Sequence, residues 1–114
     1  MAKSAIPSPI ERRHLVERDL GADQALGIAE AYLEAERFEE AVAFLAKAGA
    51  DDRLKALADD AVAAGDVFLL TEISRVQGRD PDSETWQRLA DSARRAGKDA
   101  YADTAERHAH RSDD

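Results

Sequence analysis

Chemistry in this chain must come from its histidines, serines and carboxylates, because it contains no cysteine. His14, His108 and His110 are the only imidazoles. His108 and His110 stand two apart, so on a helix they point to different sides. A helical metal pair needs ligands at i and i+4 to share a face. Four before His108 stands Thr104, a poor ligand, and four before His110 stands Glu106. Glu106 with His110 gives two ligands where a site needs three or four. The serines Ser4, Ser8, Ser74, Ser83, Ser92 and Ser112 sit in no nucleophile-elbow context. The six glycines form no phosphate-cradling loop. Carboxylates are plentiful but scattered. The expectation is a chain without catalytic residues, metal or cofactor, and therefore not an enzyme.

Charge narrows the classes further. Sixteen Lys and Arg against 24 Asp and Glu leave a net charge of −8 among 114 residues. Phosphate binding needs an excess of basic residues, so no nucleic-acid partner is expected. No apolar run approaches the ~20 residues that span a bilayer. No helix pairs a large apolar face with a Lys-rich one, so no membrane-surface role is expected either. Met1 to Ile10 has one Lys and no apolar h-region, so no secretory signal is expected and the cytoplasm is the default location.

The elements that position these residues are helices. Alanine, the best helix former, occurs 24 times. Val, Ile and Thr together number 12, too few for a sheet protein. Seven helices follow from the punctuation. Ser8-Pro9-Ile10-Glu11 is a capping box with proline at the first helical position, and it opens a helix to about Leu20 with Gly21 as its stop. Ile10, Leu15, Val16 and Leu20 form its apolar stripe. Asp23 caps a second helix reaching about Glu36. A third follows the Arg37-Phe38 turn and stops at Gly49. Asp51 or Asp52 opens the fourth, which stops at Gly65. Asp66 caps the fifth, which ends at Gly78. Asp82 or Ser83 caps the sixth, which Gly97 ends, and the seventh runs from about Lys98 to His110. Residues 8–110 read as one domain, after a disordered N-terminus (1–7) and before a frayed tail (111–114).

Three segments align without gaps: Ala29 to Gly49, Ala58 to Gly78 and Ala90 to His110, at offsets of 29 and 32 residues. Each starts with a small residue. Four before the start stand Ala25, Leu54 and Trp86, and one before stand Ile28, Leu57 and Leu89. Three on stand Tyr32, Ala61 and Ala93. Seven on comes a turn at Glu36, Gly65 and Gly97, and twelve on stand Ala41, Leu70 and Ala102. Small residues let paired helices approach closely, while Tyr32, Phe38 and Trp86 fill the remaining space. A helix so poor in large side chains buries little area alone and needs neighbours on both sides, which is the logic of stacked repeats.

At these residues the chain resembles the tetratricopeptide repeat family. The first unit carries Ile28-Ala29, Tyr32, Phe38, Ala41, Leu45 and Ala48 in matching places. The third carries Trp86, Leu89-Ala90, Ala93, Gly97, Ala102 and Ala109. The second carries Leu54, Leu57-Ala58, Ala61, Gly65, Val67 and Leu70. The likeness covers about Ala22 to His110. The spacing is shorter than the family's 34 residues, a closing proline appears only as Pro81, and Glu36 replaces a turn glycine. The resemblance implies an all-α, right-handed stack of antiparallel helical hairpins, a TPR-like α-solenoid of about seven helices.

The resemblance also implies a groove lined by the first helix of each hairpin. Its residues would be Leu26, Glu30, Leu33 and Glu34 in the first unit, Lys55, Asp59 and Val62 in the second, and Gln87, Asp91, Arg94 and Arg95 in the third. Glu30, Asp59 and Asp91 occupy the same place in each unit, an acidic ladder suited to a basic or backbone-donor peptide. The implied function is a scaffold or adaptor that binds a protein or peptide. The alternative is a structural protein that self-associates through its terminal hairpins into a homo-oligomer.

Overall fold

Seven helices form in the computed structural model of the chain, which describes residues 6–113. They are α1 (Pro9–Glu17), α2 (Ala22–Glu34), α3 (Phe38–Lys47), α4 (Asp51–Ala64), α5 (Val67–Gln77), α6 (Ser83–Arg95) and α7 (Asp99–Asp113). Among the described residues there is no strand, and no helix is long and apolar enough to cross a membrane. Residues 1–5 and 114, which carry part of the expected disordered N-terminus and frayed tail, lie outside the described residues.

Local signals set most boundaries. The Ser8 hydroxyl accepts from the Glu11 amide at 3.2 Å, and the Glu11 carboxylate accepts from the Ser8 amide at 3.1 Å. Together they satisfy two donors that the helix leaves open. Asp66 accepts from the Leu69 amide at 3.1 Å and Asp82 from the Thr85 amide at 2.8 Å. Hydrogen bonds from Thr85 hold the Asp82 carboxyl below its ordinary range. Asp66→Ala is expected to lower the stability of the chain by about 1 kcal/mol, read from the urea unfolding midpoint, because the α5 amide loses its acceptor.

Three boundaries differ from expectation, and in the last of them α7 runs on through 111–113, expected as frayed tail, to Asp113. α1 stops at Glu17 instead of near Leu20, and Arg18 is extended. The Arg18 carbonyl accepts from Lys47 Nζ at 2.8 Å, a tertiary contact that holds the chain out of the helix. α2 is capped by Gly21 without a side-chain bond, and Asp23 sits inside its first turn. There the carboxylate faces the positive end of the helix dipole without capping it.

The turns after α2, α4 and α6 share one geometry, which the turns after α3 at Gly49 and after α5 at Gly78 also adopt. Glu36, Gly65 and Gly97 all adopt the left-handed conformation, with φ of 59°, 70° and 79°. Arg37, Asp66 and Lys98 donate their amides to the carbonyls of Tyr32, Ala61 and Ala93 at 2.9, 2.9 and 2.8 Å. This is the 6→1 bond of a Schellman turn, which satisfies carbonyls left open at a helix end. Glu36 makes this turn although a side chain there is strained.

The chain divides into two compact units, Met1–Leu54 and Lys55–Asp114, with the division inside α4. In the first unit α2 packs on α3. Ala25, Ala29 and Ala41 are fully buried, and the Tyr32 and Phe44 rings stack with centroids 5.9 Å apart. Arg12 reaches over both rings at 5.7 Å and donates to the Glu40 carbonyl at 3.1 Å, tying α1 to α3. α1 buries no residue of its own, and Ile10 is 70% exposed. Phe38, expected as filling, is 39% exposed. It is the first residue of α3, and Phe44, two turns on, occupies the core instead.

In the second unit α6 packs on α7, and α5 also touches α7. The buried residues of α6 are Trp86, Leu89, Ala90 and Ala93, while α7 buries Ala102, Ala105 and Ala109. The contact is thus small against large, which permits close approach. Ala58 is only half-buried, unlike its counterparts Ala29 and Ala90.

Candidate interaction surface

The residues expected in the groove fall in both units. In the first, Glu30 and Glu34 are exposed on α2 while Leu26 and Leu33 are half-buried. Glu30 pairs with Arg53 at 2.6 Å. In the second unit, Lys55 pairs with Asp59 at 3.2 Å and Gln87 donates to Asp91 at 3.2 Å. Each carboxylate of the ladder therefore has a donor of its own unit beside it. Such exposed pairs contribute only about 0–1 kcal/mol each. They hold the side chains weakly and leave them able to exchange partners.

Four of the expected residues meet in one place. Asp59, Val62, Asp91 and Arg95 line an open depression of about 490 Å³ on α4 and α6, together with Ala63, Arg88 and Ser92. The two helices contribute at helical spacing. Positions 59, 62 and 63 form one stripe, and positions 88, 91, 92 and 95 form the other. Val62 is nearly buried and forms apolar floor, while two carboxylates and two guanidinium groups stand around it. Arg95 also donates to the Ser92 hydroxyl at 3.3 Å.

Arg94 is placed elsewhere. Its guanidinium lies 3.1 Å from Glu106, 3.2 Å from Asp103 and 4.0 Å from Asp99, all on α7. Successive helical residues are rotated by about 100°, and here the rotation turns Arg94 to the α7 side of α6 while Arg95 stays beside Asp91 and Ser92. Arg94 thus clamps α6 to α7 and Arg95 faces the depression. Hydrogen bonds to Asp103 and Glu106 raise the Arg94 guanidinium further above its ordinary value.

Arg88 and Ser92 were not anticipated for this face. The signal was present in their i, i+3, i+4, i+7 relation with Asp91 and Arg95, once the facing side of α6 is known. The Glu106, His108 and His110 neighbourhood forms no ligand set. Glu106 is engaged by Arg94, and His108 stacks on Trp86 with centroids 4.2 Å apart. Among the described residues no three His, Cys, Asp or Glu side chains gather as a metal site. Comparison with family models, curated proteins and solved structures found no match to this chain.

Proposed function

We propose that this chain is a TPR-like helical-repeat module of the cytoplasm that binds a peptide or protein partner and catalyses nothing. The observation that carries the reading is the depression on α4 and α6, where stripes of two helices place charges of both signs around an apolar floor. An extended peptide suits it. A basic side chain would meet Asp59 and Asp91, the peptide carbonyls would accept from Arg88 and Arg95, and an apolar side chain would rest on Val62. The repeat half of the proposal rests on the three aligned segments, whose left-handed turn residues Glu36, Gly65 and Gly97 each fall seven positions after the start.

The test is binding to an array of peptides that vary in charge. Changing Asp59 and Asp91 together to Ala is expected to weaken the best basic peptide about tenfold or more, since one lost charge-assisted contact is worth about 1.5–3 kcal/mol. Unchanged affinity would remove both carboxylates from the mechanism. Self-association through the terminal hairpins is the competing reading. A sedimentation mass that rises with concentration would favour it, and a constant monomer mass would exclude it.

A further inference from the structure

A second polar site lies in the unit formed by residues 55–114, around the stacked rings of Trp86 and His108. One depression of about 490 Å³ is lined by Arg75, Arg79 and Asp80 beside the two rings. Another of about 230 Å³ is lined by Asp80, Arg111 and the same rings. The lining is rich in guanidinium groups on a chain whose net charge is −8. Arg75 is held by Glu72 in an ion pair. Arg79 lines the larger depression and Arg111, bonded to His108, the smaller; the two depressions meet at Asp80, Trp86 and His108, and neither guanidinium pairs with a carboxylate among the described residues.

The geometry at His108 couples this charge to protons. Arg111 Nη2 lies 2.9 Å from His108 Nδ1. A guanidinium can only donate, so Nδ1 accepts, and the neutral ring carries its proton on Nε2. A second proton on the ring would occupy Nδ1, end this hydrogen bond and set two cations face to face. Arg111 would then be released toward any oxyanion in the cleft. The charges that act on His108 are Arg107 and Arg111 of α7 and Asp80 of the connecting loop, and Arg75 and Arg79 line the same depression. α6 presents the Trp86 indole. Burial first, and then Arg111, hold the imidazole below its ordinary range, and Asp80 opposes them.

We propose that this cleft binds an oxyanion of the phosphate or carboxylate type on the guanidinium groups of Arg79 and Arg111, with uptake of a proton on His108. Binding and protonation favour each other because a bound oxyanion accepts from the freed Arg111 and offsets the new positive charge. Affinity therefore rises as pH falls through the His108 midpoint. This site shares no residue with the α4–α6 depression, so its test is independent of the peptide-binding proposal.

The experiment follows the His108 imidazole by NMR on the whole chain, assigned by loss of its signal in His108→Gln. The midpoint is measured in chloride, sulfate and acetate at matched ionic strength. Tenfold tighter binding to the protonated form moves the midpoint up by about one unit. A rise of that order in sulfate assigns a phosphate-type ligand, and a rise in acetate assigns a carboxylate. Arg79→Gln with Arg111→Gln is expected to abolish the anion-dependent rise. Both residues are exposed, and an unchanged circular dichroism spectrum checks that the fold is retained. Trp86, the only tryptophan, reports the same transition by fluorescence. Equal midpoints in the three salts would overturn the proposal, as would a rise that survives the double substitution.

Discussion

Gly65→Ala is expected to destabilise the chain by about 3 kcal/mol or more, combining left-handed strain with a steric clash. Gly65 ends α4 at φ 70°, where a side chain meets the carbonyl. A Cβ at this position would also stand 2.5 Å from the Ala93 Cα and 2.6 Å from the Ala93 nitrogen. Both are backbone atoms of α6, so no side-chain rotation relieves the contact and the helix itself must move. Relief is blocked further by the Ala93 carbonyl, which accepts from Lys98 in the next turn. The internal controls are Gly49, Gly78 and Gly97. Each has positive φ, yet a Cβ at each would meet nothing within 4 Å. Their alanine variants should lose only the strain, about 1 kcal/mol. Urea unfolding of the four variants separates the two contributions. If Gly65→Ala loses no more than the other three, the close approach of the α4 end to α6 does not limit stability. Because a domain of this size is stable by only about 5–15 kcal/mol, the Gly65 substitution should also lower the folded yield.

Which boundaries were legible follows from where their causes lie. Ser8, Asp66 and Asp82 cap through a bond three residues away, and Gly49, Gly65, Gly78 and Gly97 stop helices by their own conformation. Such causes are local and stand in the sequence. The early stop of α1 was not legible, since it depends on Lys47 reaching the Arg18 carbonyl across 29 positions. Glu36 was legible as a turn only by alignment with Gly65 and Gly97, because its residue type argues against a left-handed position. The division inside α4 had no signal, since no Gly or Pro interrupts Asp51 to Ala64.

The surface was legible in part for a similar reason. The resemblance supplied the outward face of each first helix, which includes Asp59, Asp91 and Arg95. It could not separate Arg94 from Arg95, because that requires knowing where α7 lies. Once α7 packs on α6, Asp99, Asp103 and Glu106 draw Arg94 to their side. The Trp86–His108 stack was hidden for the same reason. Its residues are 22 apart on different helices, and only the α6–α7 register brings them together.

Trp86→Ala is expected to cost about 3–5 kcal/mol, at the upper end of that range for truncation of a buried large side chain. Trp86 is 2% exposed and is the largest fully buried side chain of the chain. The upper end is expected because the cavity cannot collapse. On α7 the indole stacks on His108, and the buried residues of that helix, Ala102, Ala105 and Ala109, have no longer side chains to swing into the space. Helices already packed on alanine cannot approach much closer either. Trp86→Phe should recover much of the loss. Tyr101→Ala, at an aromatic 36% exposed, should fall well below Trp86→Ala. A second consequence is a change in pH dependence. The folded-state pKa of His108 is depressed, chiefly by burial. The unfolded chain then takes up the proton first, so stability falls as pH drops below the ordinary histidine value of about 6.5. Removing the indole uncovers the imidazole and lets its pKa rise, so this decline should shrink in Trp86→Ala. Urea unfolding of both proteins at pH values on either side of the histidine range measures it. An equal decline in both would mean that the indole is not what shields His108 from water.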